Sequence, residues 1–265
     1  MRNTNTKRDR NFVNSLARGF SLLEVFSPDH HSAGITEIAT KMGLSKTTVF
    51  RITHTLNKIG YLRYDSENQK YYLGPKVLTM GFATLGSMKF REIAKPYMEE
   101  LSKATGENIN LGVLDGHEVI YIEQIKSKQI LDVKLYVGSR IPIYNTAIGR
   151  AIMAYLPLPQ LNEILEKLCQ IFGARPFLGL KCKKILKTLD RVRSKGYAVN
   201  NEEWETGIRA IGAPILNHNS SLEGGINISV LSAKISLNEL ESRYAPLLIE
   251  TAKRISFSLG YCPQS

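Results

Sequence analysis

Apolar positions along this chain of 265 residues recur with two different periods, and the changes of period mark its elements. Between Asn14 and Phe26, Leu16, Phe20, Leu23 and Phe26 fall three or four apart, the spacing of one helical face. Ser27-Pro28-Asp29-His30-His31-Ser32 breaks that pattern. Two short helices are predicted next, Thr36–Met42 and Ser45–Ile59, separated only by Gly43-Leu44. Gly43 suits the left-handed conformation that closes one helix, and Ser45 is a good cap for the next. Residues 60–74 alternate aromatic and polar side chains around Asp65-Ser66-Glu67-Asn68, a hairpin pattern. Pro75 opens a mostly apolar helical stretch, Lys76–Leu85, and a longer helix is predicted over Phe90–Thr105.

Strands and helices then interleave. Strands are predicted at Ile109–Leu114 and Val119–Gln124, around an Asp115-Gly116 turn, and at Ile130–Val137. Helices are expected at Ala147–Ala154, Leu158–Leu168 and Lys183–Lys195, and strands at Ala198-Val199, Ile208–Ile215 and Gly225–Leu231. A closing helix is predicted over Leu237–Leu259. The mixture points to an α+β domain.

Three helices and a hairpin, the last two helices joined by a Gly-containing turn, outline a winged helix-turn-helix. At 100° per residue from Val49, the side chains of Ile52, Leu56 and Ile59 share one sector. The opposite sector holds Thr47, Phe50, Arg51, His54 and Lys58. Such a face suits a major groove: Arg51 can bond guanine bidentately, Thr47 a base edge or phosphate, and Phe50 a thymine methyl. Ser45, Lys46 and Thr48 sit at the helix start, where free backbone N–H groups attract phosphate. Arg63 and Lys70 on the hairpin can reach the flanking backbone, and Thr36 on the preceding helix joins the DNA-facing set. His54 belongs with these groove-facing residues and needs no metal.

Charge strengthens this picture. The chain carries +11, and residues 1–80 hold twelve Lys and Arg against six Asp and Glu, so positive charge is densest at the N-terminus, as a polyanion partner requires. No run of eighteen apolar residues and no signal-peptide core is present, so the expectation is a cytoplasmic protein with no membrane partner. Cys169, Cys182 and Cys262 are widely spaced, without a CxxC pair, so neither metal site nor disulfide framework is expected. No cofactor is expected either. No nucleophile–base pair, G-x-G-x-x-G or GxxxxGK[ST] motif supports an enzyme of small organic acids, the alternative reading. Glu202-Glu203 could pass for a catalytic pair, but strand neighbours point oppositely; one of the two is expected to pair with Arg209.

The segments SLARGFSLLEVF (15–26), ITEIATKMGLSKTTVFRITHTLNKIGYL (35–62), YYLGPKVLTMG (71–81), TGENINLGVLDG (105–116), YNTAIGRAIMAYLP (144–157) and GYAVNNEEWETGIRAIGAPI (196–215) resemble, in order, the IclR family of bacterial transcription regulators. The resemblance spans nearly the whole chain, and its second-domain motifs are the specific ones. Residues 1–11 read as a polar, basic, disordered tail, and the resemblance implies a winged helix-turn-helix (12–75), a linker helix (76–89) and a GAF-like α/β effector-binding domain (90–265). It also implies a double-stranded DNA operator, dimers that often pair into tetramers, and control of small-acid catabolism.

The family's ligand site implies an effector pocket here built from Thr146, Ala147, Ile148 and Gly149 at a helix entrance, Asn200, Ile208 and Ala210, and Asn227 with Ser229. Val133 and Ile141 would supply apolar walls. Where family members place an acid, a cysteine and a serine, this chain has Asn200, Ala210 and Asn227. The pocket thereby loses a negative charge. A hydroxylated anion is the expected ligand, a sugar acid or keto acid before an aromatic acid; TAIGRA and the closing LGY are most similar to regulators of sugar-acid breakdown.

Overall fold

The computed structural model describes residues 10–127, 135–171 and 182–262. The chain divides into two compact units, Met1–Ser87 and Met88–Ser265.

In the first unit, helices α1 (Asn14–Leu23), α2 (Ile35–Met42) and α3 (Lys46–Lys58) are followed by the hairpin β2 (Leu62–Asp65) and β3 (Lys70–Leu73), and then α4 (Lys76–Ser87). Gly43 ends α2 at φ 62°, and the Ser45 side chain caps α3 by accepting from the Thr48 amide at 3.2 Å. A short strand β1 (Ser32–Ala33) adds to the hairpin, pairing Ser32 with Tyr72 and Ala33 with Tyr71. Its two residues are too few to show a period, and they lie at and just after the end of the break over Ser27–Ser32. Leu22, Phe26, Ala33, Ile38, Val49, Leu62 and Tyr71 form the core. α3 is rotated slightly from the sequence expectation. Ile59 is 48% exposed, whereas Thr53 is fully buried. Thr53 can be buried because its hydroxyl donates to the Phe50 carbonyl at 3.0 Å; Ile59 has already left the helix as its C-cap.

The second unit opens with α5 (Lys89–Thr105) and centres on an antiparallel six-stranded sheet ordered β6-β5-β4-β9-β8-β7. Its strands are β4 (Asn108–Asp115), β5 (Glu118–Ile125), β6 (Arg140–Pro142), β7 (Ala198–Asn201), β8 (Ile208–Leu216) and β9 (Leu222–Leu231). Glycines reveal its two faces. A Cβ on Gly224 would stand 2.8 Å from Phe90 of α5, whereas one on Gly225 would stand 2.9 Å from Ile148. Strand side chains alternate, so Ile226, Ile228 and Val230 face the α5 layer. Asn227 and Ser229 face α6 (Ala147–Ala154). Helices α7 (Leu158–Ile171) and α8 (Cys182–Lys195) complete the α6 layer, and α10 (Ala245–Ser258) packs with α5.

One expectation needs correction, and another falls largely outside the described residues. The closing helix runs over Leu237–Ser258 much as expected, but with a π segment, Leu240–Tyr244, between α9 (Leu237–Glu239) and α10. Pro246 has no N–H to continue an α ladder, and a wider turn accommodates it. Glu202 and Glu203 are not strand residues; they lie in the turn after β7, Glu202 at φ 60°. Most of the strand expected at Ile130–Val137 lies outside the described residues, and its last residues run into a turn before β6.

Candidate functional site

α3 presents Lys46, Thr47, Phe50, Arg51 and His54 to solvent, with Ser45 exposed and Thr48 half-buried at its start. Phe50 and His54 stack, one turn apart, with ring centroids 6.1 Å from each other. Arg51 stands at the edge of this face, where Thr48, Arg51 and Thr55 border a groove shared with Arg18, Leu16 and Phe20 of α1. On the hairpin, Arg63 pairs in register with Tyr72 and Lys70 with Asp65. Both Arg63 and Lys70 are exposed, next to the buried Leu62 and Tyr71, so they point away from the core. The hairpin tip is fixed by Asp65, which accepts from the Glu67 amide at 2.9 Å and from Asn68 Nδ2 at 2.7 Å. These bonds, that from the Asn68 side chain first, hold its carboxyl below the usual range. Thr36 is exposed on the first turn of α2. All ten residues expected to face DNA are thus on the surface of one unit.

In the second unit a cavity lies beneath the start of α6. Thr146 caps that helix, accepting from the Gly149 amide at 3.2 Å and donating to the Pro142 carbonyl at 2.7 Å. The Ala147 and Ile148 amides, in the first turn, have no carbonyl of their own helix to bond, and the dipole adds positive potential there. Glycines let the helix lie this close. A Cβ at Gly212 would stand 2.7 Å from the Ala147 and Ile148 backbone, and one at Gly149 would stand 2.1 Å from the Ile143 carbonyl oxygen.

The expected residues Ile141, Thr146, Ala147, Ile148, Asn200, Ile208, Ala210, Asn227 and Ser229 all line the cavity. Gly149 does not; it is the packing contact that seats the helix. Val133 lies outside the described residues. Six further residues line it: Asn108, Asn110, Tyr121, Gln124, Leu135 and Trp204. A chain of neutral groups crosses the floor. Gln124 Nε2 donates to Asn110 Oδ1 at 2.8 Å, Asn110 Nδ2 to Ser229 Oγ at 3.3 Å, and Asn227 Nδ2 to the same oxygen at 2.9 Å. With both Ser229 lone pairs engaged, its own proton is free to donate. Asn227 Oδ1 is buried without a hydrogen-bond partner. Beside it, burial pushes the Tyr121 phenol up from its ordinary range. Asn200 is buried and donates to the Asn145 carbonyl. Among the described residues, no Asp, Glu, Lys, Arg or His lines the cavity.

The neighbouring acids are structural. Glu203 accepts from Arg150, whose Nε and Nη1 also bond the Tyr144 and Val199 carbonyls at 3.0 Å. Glu202 lies 3.4 Å from Arg209, the pairing the sequence suggested. No cluster of metal-binding side chains occurs among the described residues, and none of their helices is long and apolar enough to cross a membrane.

Two family models together cover most of the chain: the IclR helix-turn-helix domain over residues 15–66 and the bacterial transcriptional regulator IclR C-terminal domain over 82–257. The chain belongs to the IclR family. The second model reaches from the middle of α4 to the last turn of α10, so the cavity lies within it. The chain is 34% identical to the HTH-type transcriptional regulator XynR of Escherichia coli over 94% of its length and 98% of that protein's. It is 31% identical to the E. coli HTH-type transcriptional regulator KdgR over 98% of both chains. The crystal structure of an IclR-family regulator from Brucella abortus superposes with a TM-score of 0.82 at 29% identity, covering 95% of this chain and 94% of that one. This IclR-family member is therefore a DNA-binding transcription regulator rather than an enzyme, with an N-terminal helix-turn-helix and a C-terminal α/β domain.

Proposed function

We propose that the chain controls a catabolic operon in the cytoplasm by reading an operator with α3 and the β2–β3 wing, and that a small organic acid in the α6 cavity alters that reading. One observation carries the effector assignment: the buried, unpartnered Asn227 Oδ1 and the free donor of Ser229 lie beneath a helix N-terminus, in a cavity whose lining among the described residues is neutral. A carboxylate is favoured at the helix start, where fixed N–H groups replace its water. Hydroxyl groups suit the amide floor, where they can donate to Asn227 and accept from Ser229. A sugar acid or keto acid combines these features better than an aromatic acid does. The departures at Asn200, Ala210 and Asn227 serve the same end, because an Asp at 200 would repel the ligand's charge.

The active species is proposed to be a homodimer, able to pair into tetramers. The exposure of Leu16, Phe20 and Ile59 around the α1–α3 groove supports pairing through the DNA-binding unit. Coupling of ligand to operator requires only a difference in affinity between two arrangements of the dimer, typically about 1–3 kcal/mol.

The test is an electrophoretic mobility shift on DNA upstream of the chain's own gene, with a panel of sugar, keto and aromatic acids. Sequence-specific binding altered by a sugar or keto acid is expected. Specific binding that none of them alters would remove the effector assignment.

A further inference from the structure

The positive charge of this chain is concentrated in two places, and only the first is the helix-turn-helix unit. Residues 88–265 contain 23 Lys and Arg against 18 Asp and Glu. Helix α8 alone holds six of those bases (Lys183, Lys184, Lys187, Arg191, Arg193 and Lys195) against a single acid, Asp190. The rest of the unit therefore carries seventeen of each and is neutral. A solvated helix face needs no such segregation, since alternating signs would stabilise it better.

Part of that charge lies on the outer face. Leu189 and Val192 bury the inner side against the α6 layer, while Lys187 and Arg191 are exposed one turn apart. Among the described residues neither has an acidic partner. Arg193 and Lys195 are already engaged, the first with Asp190 and the Ala154 carbonyl, the second with Glu241. Lys187 and Arg191 are thus the available pair.

We infer that α8 is a second DNA-contacting surface, binding the phosphate backbone outside the bases that α3 reads. The chemistry is that of a polyanion with regularly spaced charge and no base specificity. Fourteen residues make a helix about 21 Å long, which matches about six base-pair steps of duplex. The inference rests on operator binding by the first unit, and a test can separate the two.

Footprinting of the wild-type protein defines the operator. Two duplexes are then compared by fluorescence anisotropy across a salt series: the footprinted operator alone, and the operator extended by two helical turns on each side. Lys187→Glu combined with Arg191→Glu should leave the short duplex unchanged. On the long duplex it should lower affinity and make the plot of log K against log salt shallower by about two, near 0.9 per lost phosphate contact. Lys187→Arg with Arg191→Lys should restore the wild-type slope. Identical affinity and slope on both duplexes would overturn the inference, as would equal weakening on both. An altered oligomeric state of the free double variant, with the salt slope unchanged, would instead make α8 a contact between copies and equally overturn it. If the wild-type protein itself binds neither duplex specifically, the failure lies in the reading of α3.

Discussion

Arg91 in the first turn of α5 donates from Nε to the carbonyl of Ile122, at 3.0 Å, at a point where β5 carries an extra residue. On either side of it Leu111 pairs with Glu123 and Gly112 with Tyr121, so Ile122 has no partner in β4. The bulge changes which side chains share a face. Tyr121 and Gln124 are three apart and would oppose each other on a regular strand, yet both reach the cavity. Arg91 also lies 2.8 Å from the buried Glu123 carboxylate. One guanidinium thereby satisfies the bulge and sets two side chains of the site.

Arg91→Ala should destabilise the protein by about 2–3 kcal/mol, because Glu123 would stay buried with the Gln124 amide and, as the remaining cation among the described residues, Lys95 at 3.9 Å. Urea unfolding monitored by circular dichroism measures this. A loss below about 0.5 kcal/mol, the level of ordinary surface substitutions, would show that the bulge does not depend on Arg91.

Gly149→Ala tests the seating of α6. In an exposed helix this change stabilises by about 1 kcal/mol. Here the new methyl collides with the Ile143 carbonyl, and a cost of about 1–3 kcal/mol is expected from the displaced helix. Thermal melts decide the sign, and a raised Tm would refute the close approach.

Asn227→Ala removes one hydrogen bond to Ser229 and an oxygen that has no partner, so stability should fall by no more than about 1 kcal/mol. Effector affinity should fall at least about tenfold, roughly the loss of one buried hydrogen bond to the ligand. Isothermal titration with the acid found in the mobility-shift screen reads this directly. Unchanged affinity would place the ligand elsewhere.

Arg51→Ala should weaken operator binding by about 1–3 kcal/mol and relax sequence preference. Arg63→Ala should weaken all sequences alike and reduce the salt slope by about one. Should the two variants behave identically in a competition series, the division between base reading by α3 and backbone contact by the wing would be lost.

Glu241 gives a pH prediction. The Tyr197 hydroxyl first, at 2.6 Å, and then Lys195, at 3.0 Å, hold its carboxyl below the usual range. A depressed folded-state value contributes stability above the unfolded value, and that contribution disappears as pH falls through the folded one. Tyr197→Phe should therefore cost about 1 kcal/mol at neutral pH, a charged hydrogen bond discounted for partial exposure. The difference should shrink as pH falls below the ordinary glutamate range, because Glu241 takes up its proton in the folded protein only there. Denaturant titrations at pH 7 and at acid pH would reject this account if the gap stayed constant.

Features that depend on neighbours along the chain were legible without a structure. Period and capping placed α2 and α3 around Gly43 and Ser45. Period also placed the helix Ala147–Ala154 and the strand Gly225–Leu231, on which Asn227 and Ser229, two apart, share one face. The Glu202–Arg209 pairing was also legible, and resemblance supplied the grouping of Thr146, Asn200 and Asn227. The rest follows from contacts between distant segments. Asn110 meets Asn227 through the β4–β9 register, across more than a hundred residues. Tyr121 and Gln124 share a face because of a bulge that periodicity assigns to neither side. Thr53 is buried in place of Ile59 because its hydroxyl finds the Phe50 carbonyl, while Ile59 leaves the helix as its C-cap. Local pattern reports the conformation each segment prefers, whereas register, bulges and close approach follow from which segments meet, and these are what built the cavity.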